Sequence, residues 1–177
     1  MALTYHDAMP TPAKDSHCSA CGTLFPSTAW PRTCTACGTS AYRNPLPVAV
    51  ALLPVEDADG TGLVVITRTI EPALGGVALP GGFIDFGEDW REAVVRELRE
   101  ETGIHAPASE VVLADALSSP AGHLLLFGLL PPRPAATLPP SAPTAETTGW
   151  HLLRTPTELA FPLHTRAAAS WFTGTYG

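Results

Sequence analysis

The chain has 177 residues, 45% hydrophobic and 15% charged, a balance that supports a buried core and excludes a disordered polymer. Seventeen acids against ten bases give a net charge of −7, which disfavours broad contact with a nucleic-acid backbone; seven of the 17 acids fall between Asp85 and Glu101, a density that invites a cation. No stretch of about 18 apolar residues occurs and the start, Met1 to Asp7, lacks basic and apolar leader regions, so no membrane contact and a cytoplasmic location are expected.

Residues 1–15 read as a flexible N-terminus. Four cysteines follow, Cys18-x2-Cys21 and Cys34-x2-Cys37, with twelve residues between the pairs and a turn residue, Gly22 or Gly38, after each. Two such knuckles converging on one point suit Zn²⁺, which favours four soft ligands at a closed structural site. A module of this size, residues 16–41, cannot bury a core of its own, so a metal would supply its folding energy. Two disulfides are the alternative, and the missing leader argues against them. His6 and His17 read as solvated side chains, because four thiolates complete the tetrahedron.

Residues 42–47 form a short linker with two prolines. The apolar run Val48 to Pro54 and the run Leu63 to Thr67 predict strands joined as a hairpin through Glu56-Asp57-Ala58-Asp59-Gly60. Gly81 to Glu88 begins as a glycine-rich loop. Asp89 to Thr102 predicts a helix, with Asp89 as N-cap, Glu92 three residues on, and Gly103 just past the end. Val111 to Leu117 and His123 to Leu130 predict two more strands, Pro131 to Pro143 an exposed loop, Thr157 to Ala160 a short helix and Thr165 to Phe172 a terminal one. Strands flanked by two or three helices give an α/β or α+β sandwich around a mixed sheet.

The 89–102 helix carries the chemistry. At about 100° per residue, Trp90, Val94 and Leu98 share one side, with Glu97 and Glu101 at its edge and Glu100 about a quarter turn away. A merely solvated, salt-bridged helix would set its glutamates opposite the apolar stripe, where Glu92 and Arg99 lie. Arg96 reaches Glu100 at i,i+4, yet one arginine cannot neutralise three acids on a packed side. Hard oxygen ligands in this number favour Mg²⁺ or Mn²⁺ over zinc.

The pattern Gly82-x5-Glu88-x7-Arg96-Glu97-Leu98-x-Glu100-Glu101-x-Gly103-Ile104 resembles the Nudix box at every defined position. The four-cysteine segment, Tyr42-Arg43-Asn44-Pro45, Ile70-Glu71-Pro72, Leu79-Pro80-Gly81-Gly82-Phe83, Glu146 to Trp150 and Leu159-Ala160-Phe161-Pro162 resemble the zinc-ribbon branch of that family, which includes pyrophosphatases acting on NADH, FAD or ADP-ribose. The resemblance implies a zinc ribbon over 16–41, followed by a Nudix α/β/α sandwich over 47–177. It also implies Glu97, Glu100, Glu101 and the Gly81 carbonyl as ligands of Mg²⁺ or Mn²⁺, Arg96 as the residue that orients the glutamates, and Glu88 as an acid holding loop to helix. Ribbon-bearing relatives imply a homodimer.

The implied reaction is attack by metal-activated water on a diphosphate bond of a nucleoside diphosphate derivative. Glu101 or Glu97 would act as base, with Glu146 the candidate further along the chain. NADH pyrophosphatases carry an aromatic motif after the box, whereas Leu117-Ser118-Ser119-Pro120-Ala121-Gly122-His123 has none of its aromatics; ADP-ribose, FAD or a related nucleoside diphosphate derivative is therefore preferred. Trp150, Phe83 and His123 are read as core residues rather than substrate contacts, and Arg68 equally as a surface residue or a phosphate ligand. Hydrolysis of RNA caps, including NAD caps, and nucleotide sensing without cleavage are the alternatives. The acidic balance argues against the first and the complete box against the second.

Overall fold

The computed structural model describes residues 14–176. The N-terminus expected over 1–15 (apart from Lys14 and Asp15) and His6 therefore lie outside the described residues. The chain divides between Asn44 and Pro45 into two compact units.

The first unit holds a two-stranded antiparallel ribbon, β1 (Arg32–Thr33) and β2 (Ser40–Ala41). Its buried apolar set is Cys18, Phe25 and Cys34, with Ala41 packed on it, far less than a self-sufficient core requires. The guanidinium of Arg32 is clamped between Phe25 and Trp30, 3.9 and 4.0 Å from the ring centres, and donates to the Ser27 carbonyl at 3.0 Å. His17 is exposed, as expected of a solvated histidine.

The second unit begins with β3 (Leu46–Leu52), β4 (Pro54–Asp57) and β5 (Gly60–Arg68). The hairpin forms between β4 and β5, with Asp57 opposite Gly60 and the Asp57 carboxylate accepting the Asp59 N–H at 2.9 Å. The expected first strand is in fact two. The Leu52 carbonyl accepts from Leu130 and the Leu53 carbonyl from Val64, so the chain changes hydrogen-bonding partners between adjacent residues and β3 enters a different sheet from β4. An apolar run buried on both faces carries no sequence mark of such a switch.

Four further elements follow: β6 (Val77–Ala78), β7 (Gly81–Phe83), the helix α1 (Trp90–Thr102) and β8 (Val112–Ser118). Then come β9 (His123–Leu129), β10 (Arg133–Pro134), β11 (Thr147–Leu153) and α2 (Pro162–Phe172). One mixed sheet has the order β7-β3-β9-β8, with β3 and β9 parallel. The other runs β10-β4-β5-β11, with β6 on β5 and β10 parallel to β4.

Alternation along β3 explains the layering. Ala49, Ala51 and Leu53 pack with Val94 and Leu98 of α1, while Val50 and Leu52 pack with Ala167 and Ala168 of α2. The two helices therefore cover opposite faces, which is the expected α/β/α sandwich.

Three local expectations are corrected. Thr157 to Ala160 is not helical: Leu159 donates to Thr165 Oγ1 at 2.9 Å and Ala160 to the Val77 carbonyl at 2.7 Å, so neighbours take the N–H groups of a segment too short to nucleate alone. The terminal helix starts earlier than Thr165, because Pro162 at its first turn presets the helical φ. Pro131 to Pro143 is not wholly an exposed loop: β10 pairs with β4, a single helical turn spans Ala135–Thr137, and Ala135 and Leu138 pack on the core. The strand at Thr147–Leu153 escapes the sequence reading, since a register shift between Thr147 and Trp150 breaks its alternation.

Candidate active site

α1 is fixed at both ends by local chemistry. Asp89 caps its N-terminus by accepting the Arg91 N–H at 2.8 Å, and Gly103 closes it with φ 74° and a bond from its N–H to the Arg99 carbonyl. The expected reciprocal bond from Glu92 to the cap does not form, and Glu92 is exposed. With both ends set, the wheel places Glu101 at 3% exposure and Glu97 near the sheet, while Glu100 is half exposed.

The close fit of α1 against β7 depends on two glycines. A Cβ on Gly82 would fall 2.5–2.7 Å from the Glu97 carboxylate, and one on Gly81 would meet the Ala49 carbonyl at 2.5 Å and Val50 Cα at 2.9 Å. The Gly81 N–H donates to Glu101 Oε2 at 2.9 Å. Behind them, Arg96 joins loop to helix. Its Nε and Nη2 grip both oxygens of Glu88, at 2.8 and 2.9 Å, its Nη1 donates to Glu97 at 2.6 Å and Glu100 at 3.4 Å, and Nη2 also reaches the Phe83 carbonyl at 3.0 Å. Glu88 in turn accepts the Asp85 N–H at 3.0 Å.

Electrostatics separate these acids. Arg96 holds the Glu88 carboxyl below the usual carboxylate range. Burial raises Glu97 despite Arg96, and burial raises Glu101 to about 8, with Glu97 and Glu146 adding repulsion. Burial thus opposes ionisation of Glu97 and Glu101, while the Arg96 hydrogen bonds favour the ionised form of Glu88. Glu146, exposed, lies next to Thr147, which sits opposite Arg68 in the β5–β11 ladder; buried Thr147 donates through Oγ1 to the Glu101 carbonyl at 3.0 Å. Thr147 was not legible as a site residue, since nothing local marks its contact with α1.

A cavity of about 420 Å³ opens on the other side of Gly81 and Gly82. Phe83, His123, Arg68, Phe161 and His164 are among its walls. Phe83, expected in the core, is 56% exposed, because β7 is an edge strand. His123, also expected in the core, is half-buried at the cavity wall, 6.0 Å from Phe83 between ring centres. Trp150 does pack against the core. His164, unmarked in the sequence except for following Phe161-Pro162-Leu163, is buried in the cavity wall.

In the first unit no disulfide joins the four cysteines, and their sulfurs all lie within 4.8 Å of one another. The Cys18–Cys37 and Cys21–Cys34 separations, 3.7 and 3.6 Å, match the roughly 3.8 Å edge of a sulfur tetrahedron drawn at about 2.3 Å from a central ion. The knuckles repeat one another: Gly22 donates to Cys18 and Gly38 to Cys34, with φ of 74° and 75° that favour glycine. Thr23 and Thr39 sit 3.3 and 3.2 Å from Cys21 and Cys37. The Thr39 hydrogen bonds lower the Cys37 thiol to about 6. Among the described residues no other His, Cys, Asp or Glu group is gathered this tightly, and the glutamates of α1 stand wider apart. No helix among the described residues is long and apolar enough to cross a membrane.

A family model described as the NUDIX domain matches residues 45–172. The ADP-ribose pyrophosphatase of Methanocaldococcus jannaschii is 38% identical over 86 residues, which is 48% of this chain and 50% of that protein. An uncharacterized Nudix hydrolase of Schizosaccharomyces pombe is 39% identical over 57 residues, 31% of this chain and 28% of that protein. The matches thus span half or less of the length of these curated relatives. Among solved structures, a NUDIX hydrolase from Nitrosomonas europaea superposes with a TM-score of 0.65 at 20% identity, covering 89% of this chain and 90% of that one. A MutT/nudix family protein from Enterococcus faecalis does so with 0.58 at 22%, covering 67% and 47%. At these identities the structural likeness bears on the fold alone.

Proposed function

The chain belongs to the NUDIX family, and on that premise we propose that it hydrolyses the diphosphate bridge of a nucleoside diphosphate derivative of the ADP-ribose, FAD or NAD(H) class. The observation that carries the reading is the seating of Glu97 and Glu101 against Gly82 and Gly81, which also wall a cavity of ligand size. The match to an ADP-ribose pyrophosphatase puts ADP-ribose first in that class.

The carboxylates of Glu97, Glu100 and Glu101 and the carbonyl of Gly81 would hold Mg²⁺ or Mn²⁺; all are hard oxygen donors, and the bare Cα of Gly82 leaves Glu97 the room it needs. A bound divalent ion would supply Lewis acidity, lowering the pKa of water and neutralising the bridge. Arg96, anchored by Glu88, orients Glu97 and Glu100. Glu101 or Glu97, with Glu146 as the alternative, accepts the proton of the attacking water. A new P–O bond forms as the bridging P–O bond breaks, and the leaving phosphate keeps the electron pair. The four thiolates would hold one structural Zn²⁺, a reading supported by their spacing and by the lowered Cys37.

Incubation of the full chain with Mg²⁺ or Mn²⁺ and a panel of ADP-ribose, FAD, NADH, a dinucleoside polyphosphate, a nucleoside triphosphate and NAD-capped RNA tests the reading. Release of a nucleoside monophosphate from a small dinucleotide or sugar derivative, lost in Glu101→Gln, is expected. No cleavage of any member, or cleavage that persists in Glu101→Gln, overturns it.

A further inference from the structure

One buried titratable group has no part in the chemistry above. His164, in the first turn of α2, is 5% exposed and lines the cavity. Its Nδ1 accepts the Leu79 N–H at 3.3 Å, which sets the tautomer: the ring proton is on Nε2. Phe161 and Phe127 hold the ring edge-on, at centroid distances of 5.1 and 6.0 Å. Nε2 has no hydrogen-bond partner among the described residues and is not one of the fully enclosed orphan nitrogens, and the residue that carries it lines the cavity. Burial, reinforced by Arg68, pushes the imidazole down to about 3, which favours the neutral ring at neutral pH.

Arg68 sets the direction in which a ligand would lie. Its Nε is held by the Pro72 carbonyl at 2.9 Å, its guanidinium lies 5.4 Å from the Phe161 ring centre, and it has no acid within ion-pair distance among the described residues. It is close enough to influence both Glu101 and His164. An anionic bridge near Arg68 and the glutamates would leave the organic half of the molecule among Phe161, His123 and His164.

We propose that the Nε2–H of His164 is a specificity-determining donor that reads an oxygen or nitrogen acceptor on the organic, non-reacting half of the substrate. This rests on the reading of the site as a nucleoside-diphosphate hydrolase. A buried donor left unpaired is costly, so a ligand whose organic half lacks an acceptor there is rejected more strongly than shape alone would reject it.

The full chain, His164→Asn and His164→Gln separate this role from a structural one. Asn keeps an acceptor near the Nδ1 position for Leu79 but does not reach the Nε2 position; the Gln amide does. With ADP-ribose in EDTA, calorimetry is expected to show about tenfold weaker binding for Asn and partial recovery for Gln. With Mg²⁺, Asn should raise KM by a similar factor while kcat changes less than twofold. Independently of any variant, the Nε2–H resonance of His164 in ¹⁵N-histidine-labelled protein should shift when ADP-ribose is added in EDTA. Unchanged affinity in Asn, or an Nε2–H resonance unmoved at saturating ADP-ribose, overturns the inference while a cleaving enzyme upholds the hydrolase reading. Binding without cleavage sinks the hydrolase reading and leaves the binding arms to decide for His164. Failure to bind ADP-ribose, FAD and NADH alike overturns both.

Discussion

Arg96 and Glu88 form a bidentate pair across the loop–helix junction, Nε to Oε1 at 2.8 Å and Nη2 to Oε2 at 2.9 Å. The remaining nitrogen of the same guanidinium, Nη1, reaches Glu97 and Glu100. A lysine can supply the charge but not the fork. Arg96→Lys is therefore expected to cost about 1–3 kcal/mol of stability and at least about tenfold in kcat/KM, read by denaturant melts and steady-state kinetics. Full activity in Arg96→Lys would show that charge alone orients the glutamates.

Gly81 and Gly82 are adjacent yet should fail differently. Alanine at 82 would strike the mobile end of Glu97, which can swing aside; alanine at 81 would strike the backbone of β3. Gly82→Ala should melt within a few degrees of the parent and lose most activity and divalent-ion affinity. Gly81→Ala should lose stability first, by about 1–3 kcal/mol, because the β3–β7 ladder must open. Thermal melts alongside Mn²⁺ titration distinguish the two.

The parts of this site that were legible in sequence are local. Caps, helical period and the spacing of Glu97 and Glu101 lie within one helix, so α1 and the burial of its acids follow from a short window of chain. What escaped is set by distant partners. The split of an apolar run at Leu53 depends on Leu130 and Val64, the exposure of Phe83 on β7 lying at a sheet edge, and the seat of His164 on the N–H of Leu79. No residue within a few positions of any of these announces the outcome.

The cysteine module should carry one zinc per chain, counted by elemental mass spectrometry. With so little apolar burial, Cys34→Ser should lose both the metal and the dispersed amide signals of residues 16–41. Because protons compete for thiolates and Cys37 lies at about 6 without metal, zinc should be retained at neutral pH and released on acidification. An intact module after exhaustive chelation would refute the assignment.

Glu101 links stability and activity with opposite signs. Its carboxyl, raised to about 8 by burial, binds a proton more tightly in the folded chain than in the unfolded one. Its contribution is therefore complete below the ordinary carboxylate value and is lost as pH rises through about 8. In EDTA, Glu101→Gln should be more stable than the parent at pH 8.5 and closer to it at pH 5, while its activity with Mg²⁺ falls by at least about 100-fold. Added Mg²⁺ should stabilise the parent more at pH 8.5 than at pH 6, since the ion and the proton compete for one carboxylate, and this difference should vanish in the variant.

His164 gives the reverse slope. Burial depresses its imidazole from the ordinary value near 6.5 to about 3, so between those limits the unfolded chain binds a proton that the folded chain refuses. The stability tied to the neutral ring is complete above about 6.5 and drains away as pH falls toward 3. Asparagine at 164 has no proton to take up and still offers an acceptor to Leu79. The melting temperature of His164→Asn should thus lie slightly below the parent at pH 7.5, where lost packing against Phe127 and Phe161 is the only difference, and draw level with or pass it at pH 4.5. Parallel melting curves across that range would mean that the ring takes up its proton while still in place, and that the cavity wall admits water to Nε2 more freely than its burial implies.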